Sequence, residues 1–242
     1  MMKKTLIASA LLAASTGALA EISGNVALTS DYVFRGISQT DNQMAIQGGL
    51  DYAHESGLYV GTWASNVDPD FFNGTGHDPQ IELDLYFGYA GELASGVGYD
   101  LGYLRYEYPG FGTADTNEIY AKASFGDFNA SINYSDELAF LASSESAWYI
   151  AAGYDTTLPW YGIGFSAHIG YSFGDAFDVP DAFETATYFG YNDSYTDWSL
   201  GVSKSWMGVD LGLTYTDVSI DSLDCNTNIC DGKVVFSVSK SL

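Results

Sequence analysis

Apolar and polar side chains alternate at every second position along most of this chain, and this pattern constrains its fold most strongly. In residues 81–89, Ile, Leu, Leu, Phe and Tyr occupy the odd positions, while Glu, Asp, Tyr and Gly occupy the even ones. Since successive side chains of a strand point to opposite faces, the alternation predicts strands with one apolar and one polar face. We predict twelve such strands, at about 22–34, 43–53, 57–66, 80–90, 96–106, 117–125, 128–134, 147–155, 160–171, 196–206, 208–217 and 232–242.

The connections between these segments alternate in length. Short turns are predicted at 54–57, 92–95, 126–127, 156–159 and 207–208, and long polar loops at 35–42, 67–79, 107–116, 135–146, 172–195 and 218–231. An even number of strands with short turns at one end and long loops at the other is typical of outer-membrane barrels. We therefore predict a twelve-stranded antiparallel transmembrane β-barrel of the bacterial outer membrane, formed by residues 21–242.

Residues 1–20 have the three parts of a secretory signal peptide. A short basic start, Met1-Met2-Lys3-Lys4, precedes an apolar stretch, and Ala18-Leu19-Ala20 fits the cleavage pattern of small residues. We predict cleavage before Glu21 and export through the periplasm to the outer membrane. Beyond this segment the sequence contains no run of about 18 apolar residues, so no membrane-spanning helix is predicted.

Charge and residue type exclude other classes of protein. The chain has 31 Asp and Glu against 8 Lys and Arg, a formal net charge of −23, so we expect no nucleic-acid partner. A soluble β-sandwich also alternates, but its solvated faces usually contain more Lys than the Gly-, Ser- and Thr-rich faces here. Aromatic residues on the apolar faces, near the strand ends, are expected to form two membrane-interface girdles. They are Tyr32, Phe34, Tyr89, Tyr103, Tyr134, Trp148, Tyr154, Tyr161, Tyr171, Trp198, Trp206 and Tyr215.

The two cysteines, Cys225 and Cys230, are separated by four residues in a predicted loop. In an oxidising compartment this spacing favours a local disulfide that staples the loop. The spacing differs from the Cys-x-x-Cys of redox enzymes, and two cysteines without nearby histidine make a poor zinc site. We predict no cofactor and no metal centre.

The sequence Thr-Ser-Asp-Tyr-Val-Phe-Arg-Gly-Ile-Ser-Gln-Thr-Asp at 29–41 resembles the opening signature of the TorF family of proteobacterial outer-membrane porins. The likeness continues through Gln-Gly-Gly-Leu-Asp-Tyr at 47–52 and Gly-Leu-Tyr-Val-Gly-Thr-Trp-Ala-Ser-Asn-Val at 57–67. It covers the first three predicted strands closely and the others by pattern. The resemblance implies an outer-membrane barrel with pore activity.

If the apolar faces contact lipid, the polar faces line the lumen. The predicted pore-lining residues are Asp31, Arg35, Asp51, Glu82, Asp84, Asp100, Glu118, Lys122, His168 and Asp210. Acids outnumber bases in this set, and a negative wall lowers the energy of cations and raises that of anions. This predicts a narrow passive channel for small solutes that prefers cations or neutral solutes. The alternative is that the acids pair with Arg35, Lys122 or tyrosine hydroxyls and only fill the barrel.

The width of the lumen and the composition of the loops indicate which molecules could contact the barrel. Many small lumen residues favour an open bore, and the loop at 172–195 is long enough to fold inward and narrow it. Outer-membrane lipids and lipopolysaccharide are the expected surroundings. The acidic loops favour a solvated surface, with divalent cations as a second interpretation. The lipid-facing composition marks no subunit contact, so the oligomeric state stays open.

Two other classes of function remain. An outer-membrane hydrolase would need converging groups near the outer rim, and His77 with Asp70 or Asp78 is the candidate set. The sequence favours a protein without enzymatic activity over a hydrolase that uses these residues. A structural or adhesive barrel would instead have a plugged lumen in which every inward charge is paired.

Overall fold

A computed structural model describes residues 21–69, 78–138, 143–159, 161–177, 193–220, 225 and 228–242. The predicted signal peptide, residues 1–20, lies outside them. The twelve barrel strands are β1 Glu21–Thr29, β4 Ala45–Ala53, β5 Leu58–Asn66, β6 Ile81–Glu92, β7 Gly98–Glu107, β8 Thr116–Phe125, β9 Phe128–Ser135, β10 Ala147–Leu158, β11 Ile163–Phe173, β12 Ser194–Trp206, β13 Val209–Val218 and β14 Lys233–Ser241. Two short strands, β2 Val33–Phe34 and β3 Ile37–Ser38, form a separate hairpin.

The barrel is closed by antiparallel pairing throughout. Each barrel strand pairs with its neighbour in sequence, and β1 pairs with both β4 and β14. Val26, for example, lies opposite Gly48 on one side and Lys240 on the other. Closure leaves no strand edge unpaired, which is the condition for β-structure in a hydrocarbon layer. The predicted twelve-stranded antiparallel barrel is confirmed.

Strand bounds agree closely with the sequence, apart from two differences. The first predicted strand, 22–34, ends at Thr29, because the chain turns inward after that residue. The turn predicted at 156–159 lies instead around Tyr161 and Gly162, whose φ angles are 65° and 60°. Residues 156–158 therefore continue the ladder of β10 against β11. The alternation of short turns with long connections is retained.

The outer wall of the barrel is apolar. Ile22, Leu50 and Phe87 are 77%, 60% and 58% exposed, as expected for side chains that face away from the lumen. Neighbouring aromatic residues pack in pairs near both ends of this wall, as in Tyr89–Tyr99, Phe128–Tyr154, Tyr134–Trp148 and Trp198–Tyr215. The predicted girdle members Tyr32 and Phe34 are exceptions, because both lie inside the barrel. Among the described residues, no helix has the length and apolarity to cross a membrane.

The two ends of the lumen differ in exposure. We call the end with the five short turns the turn end and the opposite end the loop end. Inward side chains at the loop end are buried; they include Ser65, Glu82, Tyr106, Glu118, Tyr149, Ser172, Asp197 and Thr216. Several inward side chains at the turn end, such as Glu92, Thr157 and Ser205, are exposed, whereas Tyr59 and Asp100 near this end are buried. The lumen is therefore accessible from the turn end and occluded at the loop end.

Candidate functional site in the barrel lumen

The occlusion at the loop end is formed by the β2–β3 hairpin, which folds into the lumen. Its two-residue turn is Arg35-Gly36, with φ angles of 47° and 85°, and positive φ at both positions suits the tight turn of a hairpin. Residues 37–40 are all buried. The sequence predicted outside loops at 35–42 and 172–195, the second of them long enough to fold inward. The structure shows the first connection inside, and residues 178–192 of the other lie outside the described residues.

The first side of the hairpin packs against β5, β6 and β7. The Tyr32 hydroxyl donates to Glu82 Oε1 at 2.7 Å, and its ring packs edge-on against Trp63, with centroids 5.3 Å apart. Phe34 packs in the same manner on Tyr106, with centroids 5.8 Å apart. These rings fill the space between the hairpin and the wall with side-chain contacts.

The tip of the hairpin is held by an ion pair. Arg35 Nη2 lies 2.5 Å from Glu118 Oε2 on β8, and the two side chains are 11% and 2% exposed. The guanidinium carbon also lies 4.2 Å from the centre of the Tyr149 ring on β10. Burial opposes the charge of Arg35, but Glu118 outweighs this effect, so the pKa of Arg35 lies above its ordinary value. The turn therefore directs Arg35 to Glu118, another of the predicted pore-lining residues.

Gly36 brings the tip against β12 and β13. A Cβ at this position would lie 2.8 Å from Asp197 Cβ on β12 and 3.0 Å from Val218 Cβ on β13. Both the φ of 85° and this close approach favour glycine. The hairpin thus starts between β1 and β4, contacts β12 and β13 through Gly36 and reaches β8 through Arg35.

The base of the hairpin has its own polar anchor. Asp31 Oδ1 accepts from the hydroxyls of Ser38 at 2.6 Å and Thr40 at 2.9 Å, and Asp31 Oδ2 lies 3.5 Å from Lys233 Nζ. Lys233 also donates to Asn42 Oδ1 and, at 2.9 Å, to the Ile229 carbonyl. A cation on β14 therefore connects the hairpin base with the loop before that strand.

The predicted disulfide is present in that loop. Cys225 and Cys230 are bonded and are both 2% exposed. Asn228, between them in sequence, accepts from the Asn42 side chain at 3.1 Å. The stapled loop thus lies over the base of the hairpin.

The structure brings Glu82, Asp84 and Glu118 into the occluded half of the lumen. Glu82 accepts from the Tyr108 hydroxyl at 2.8 Å in addition to Tyr32, and Glu118 accepts from the Asn133 amide at 2.7 Å. Burial and the charge of Glu82 hold the pKa of Tyr108, in the connection after β7, well above its ordinary value. Asp84 Oδ1 is buried and has no hydrogen-bond partner among the described residues.

Asp51, Asp100 and Lys122 lie nearer the turn end. Asp51 accepts from the Tyr86 hydroxyl and Asp100 from the Tyr59 hydroxyl, both at 2.6 Å. Lys122 lies opposite Asp100 in the β7–β8 register. Its Nζ is 4.3 Å from the centre of the Tyr120 ring. Within the described part of the chain it makes no salt bridge.

His168 and Asp210, the other predicted pore-lining residues, also lie on the lumen face. His168 Nε2 lies 2.8 Å from the Tyr149 hydroxyl and 3.2 Å from Asp197 Oδ1. Asp210, near the turn end, accepts from Ser205 at 2.5 Å. The function of all these residues as pore lining stays a prediction.

Sequence reasoning missed several lumen charges, among them Asp155, Asp197 and Lys233. Asp197 alternates in phase with Ser199 and Gly201, and Lys233 with Val235, so the same period-two rule places them inward. Asp155 accepts from the Asn129 amide at 2.8 Å across the β9–β10 pair. Applying the phase of each strand to its outermost residues would have identified them.

Inward tyrosine rings lie flat on the barrel wall. The rings of Tyr86, Tyr59 and Tyr120 cover Gly61, Gly88 and Gly102 on the adjacent strands, and a Cβ at any of these glycines would overlap the ring. The absent side chains make room for the rings, which do not have to project toward the barrel axis. This arrangement leaves space along the turn-end half of the lumen.

The residues considered for hydrolysis are not assembled into a site by the described structure. Asp70 and His77 lie outside the described residues. The residues that the structure describes contain no cluster of three or more His, Cys, Asp or Glu with the geometry of a metal site. His54 lies in the first short turn, where Nδ1 is 2.9 Å from the Ser56 hydroxyl.

Comparison with known proteins places this barrel in a family. Residues 13–242 match the model of a family described as a bacterial protein of unknown function, Gcw_chp. The chain belongs to the Gcw_chp family. No curated protein matches this member of the family. The resemblance to TorF proteins is not confirmed by the family match and stays a prediction.

Solved structures similar to this Gcw_chp chain include outer-membrane porins. The KdgM porin has a TM-score of 0.54 and 7% identity, with 90% of this chain and 97% of that chain covered. The NanC porin has a TM-score of 0.52 and 10% identity, with 90% and 98% covered. A further structure, the KdgM porin in complex with disordered oligogalacturonate, has a TM-score of 0.52 and 8% identity, with 91% and 96% covered. At these identities the likeness concerns the fold.

Proposed function

We propose that this Gcw_chp protein is an outer-membrane porin, a narrow passive channel for small solutes that prefers cations or neutral solutes. The observation that supports it most is a polar, mainly acidic lumen inside a closed barrel with an apolar outer wall. In water, such a wall would be a large exposed apolar surface, so it requires a hydrocarbon surrounding. Outer-membrane lipids and lipopolysaccharide are then its neighbours, and transport requires no covalent chemistry.

Charge in the lumen sets the proposed preference. The acids on the lumen face or in the inserted hairpin include Asp31, Asp51, Glu82, Asp84, Asp100, Glu118, Asp155, Asp197 and Asp210, together with Glu92 near the turn end. The bases include Arg35, Lys122 and Lys233. In a low-dielectric wall this excess of negative charge attracts cations and repels anions.

The same charge argues against transferring one neighbour's ligand to this chain. The oligogalacturonate named for the KdgM complex is a polyanion. An acidic lumen raises the energy of such a solute, so we propose that this protein does not transport it. Small cations and uncharged polar solutes fit the wall better.

A structural barrel without an open pore is the second candidate, and the inserted hairpin favours it. Most of the buried acids have a hydrogen-bond donor, as expected for a filled lumen. Asp84, with an unpartnered buried oxygen, and Lys122, with no salt bridge among the described residues, are the exceptions that favour a solute path.

Single-channel recording of the purified, refolded mature chain in a planar bilayer distinguishes the two candidates. We expect discrete current steps, because an acidic lumen that is accessible from the turn end carries ions whenever its loop end opens. Folding is verified independently by the heat-dependent migration of the barrel on a denaturing gel. A folded protein that is reproducibly silent would contradict the channel and favour the structural barrel.

A further inference from the structure

We propose that the β2–β3 hairpin is a gate, closed when Arg35 is paired with Glu118 and open when the hairpin tip leaves the wall. The inference rests on the proposed channel function and adds its regulation. It assigns the closed state to the structure described here, in which the loop end of the lumen is occluded. The latch is one ion pair between an inserted turn and β8.

The hairpin tip is independent of the barrel ladder. Val33 pairs with Ser38 and Phe34 with Ile37, and the two strands form a sheet of their own. Within the described chain, Val33 and residues 35–38 share no backbone hydrogen bond with a barrel strand. The tip can therefore move without breaking the ladder that holds the barrel closed.

Tip and base are held in different ways. The base is anchored by the Asp31–Lys233 ion pair and by the contact of Asn42 with Asn228 in the stapled loop. Among the described residues, the tip is held by packing and by side-chain contacts, with Arg35 on Glu118 and Tyr149, Phe34 on Tyr106, and Gly36 against β12 and β13. An anchored base with a side-chain latch at the tip is the arrangement of a hinged element.

Glu118 is equipped to remain in place after Arg35 leaves. Its carboxylate also accepts from Asn133 at 2.7 Å, from Tyr106 at 3.4 Å and from Ser135 at 3.5 Å. A buried carboxylate that keeps hydrogen-bond donors costs far less than one left without any. These donors lower the energy difference between the closed and the open state, so both can be populated.

Hairpin shortening tests the gate. Residues 33–38 are replaced by two glycines, and single-channel currents are compared with those of the wild type. We expect a larger conductance and the loss of closures, because the crossing segment is gone. The latch is tested by Arg35→Glu, Glu118→Arg and the double exchange. Each single variant should raise the ratio of open to closed time at least about tenfold, and the double variant should restore it.

Arg105→Glu is the matched control for charge reversal. Arg105 lies on the outer face of the barrel, where it forms partly exposed ion pairs with Glu107 and Asp115. Its substitution should leave gating unchanged. If Glu118→Arg does not fold, Arg35→Glu and the shortened hairpin still decide the matter.

Each result has one meaning. A folded, shortened variant that conducts at the wild-type level overturns the gate and leaves the channel intact. A folded, shortened variant that is silent overturns the channel itself. Arg35→Glu with unchanged gating, beside a shortened variant that conducts more, overturns the latch assigned to Arg35 and Glu118.

Discussion

Arg35 Nη2 lies 2.5 Å from Glu118 Oε2, so the turn of an inserted hairpin is paired with a residue in the middle of the barrel sequence. The two residues are 83 positions apart. Both are almost fully buried, so the pair depends on the closed barrel for its geometry, and the closed loop end depends on the pair. This link between the tip of one connection and the opposite wall determines which end of the lumen is accessible.

Arg35→Met should destabilise the folded barrel. Glu118 then loses its charge partner but keeps the hydrogen bonds from Asn133 and Tyr106, so the cost should be about 1–3 kcal/mol. Unfolding in urea from lipid or detergent measures the difference. Arg105→Met removes a half-exposed pair and should cost about 1 kcal/mol or less. Equal losses for the two variants would contradict the burial of the Arg35 pair.

Gly36→Ala tests the approach of the hairpin tip to β12 and β13. The added Cβ meets Asp197 and Val218, so steric overlap of about 1–3 kcal/mol adds to the cost of a positive φ. Gly126→Ala is the control, because its φ is also positive and nothing lies within 4 Å of the added Cβ. A larger loss of stability for Gly36→Ala is expected, and equal losses would place the tip away from the wall.

Gly61→Ala should narrow the accessible half of the lumen. The new Cβ overlaps the Tyr86 ring, which must swing off the wall toward the barrel axis. We expect a lower single-channel conductance and a loss of stability of about 1 kcal/mol, because the displaced ring also loses its hydrogen bond to Asp51. Gly208→Ala, in the last short turn with no atom within 4 Å of its added Cβ, should retain the wild-type conductance. A conductance unaffected by Gly61→Ala would show that the ring does not border the solute path.

Most of the barrel could be predicted from sequence, because alternation and loop length are local signals. The strands from β4 to β14 follow the predicted segments within a few residues. The hairpin was missed for a physical reason: Asp31, Tyr32 and Phe34 continue the alternation of β1, and no local rule distinguishes a strand from a segment that turns inward. The girdle prediction for Tyr32 and Phe34 was wrong for the same reason.

The inward orientation of the lumen acids could be predicted from sequence, but their hydrogen-bond and ion-pair partners could not. The phase of each strand assigns Glu82, Asp84 and Glu118 to the lumen, as the structure has them. The pairing of Glu118 with Arg35 depends on the shape of a turn and on the radius of the closed barrel. Asp197 and Lys233 lie close to strand ends, where local patterns define no clear boundary.

Lys122→Met should strengthen the preference for cations. Its ammonium opposes the acids of the accessible half and makes no salt bridge within the described chain. The reversal potential of the variant, measured across a salt gradient, should shift further toward the cation limit. Lys204→Met, on the exposed outer face near the turn end, is the matched control and should leave the potential unchanged.

The most direct test of the account is the reversal potential of the refolded protein in a planar bilayer under a potassium chloride gradient. We expect a potential on the cation side. It should be smaller for the double variant Glu82→Gln, Asp84→Asn, because both acids contribute negative charge to the lumen wall at the loop end. Unchanged selectivity in the double variant would remove these two residues from the mechanism. A wild-type potential on the anion side would contradict the central claim that an acidic lumen selects the solute.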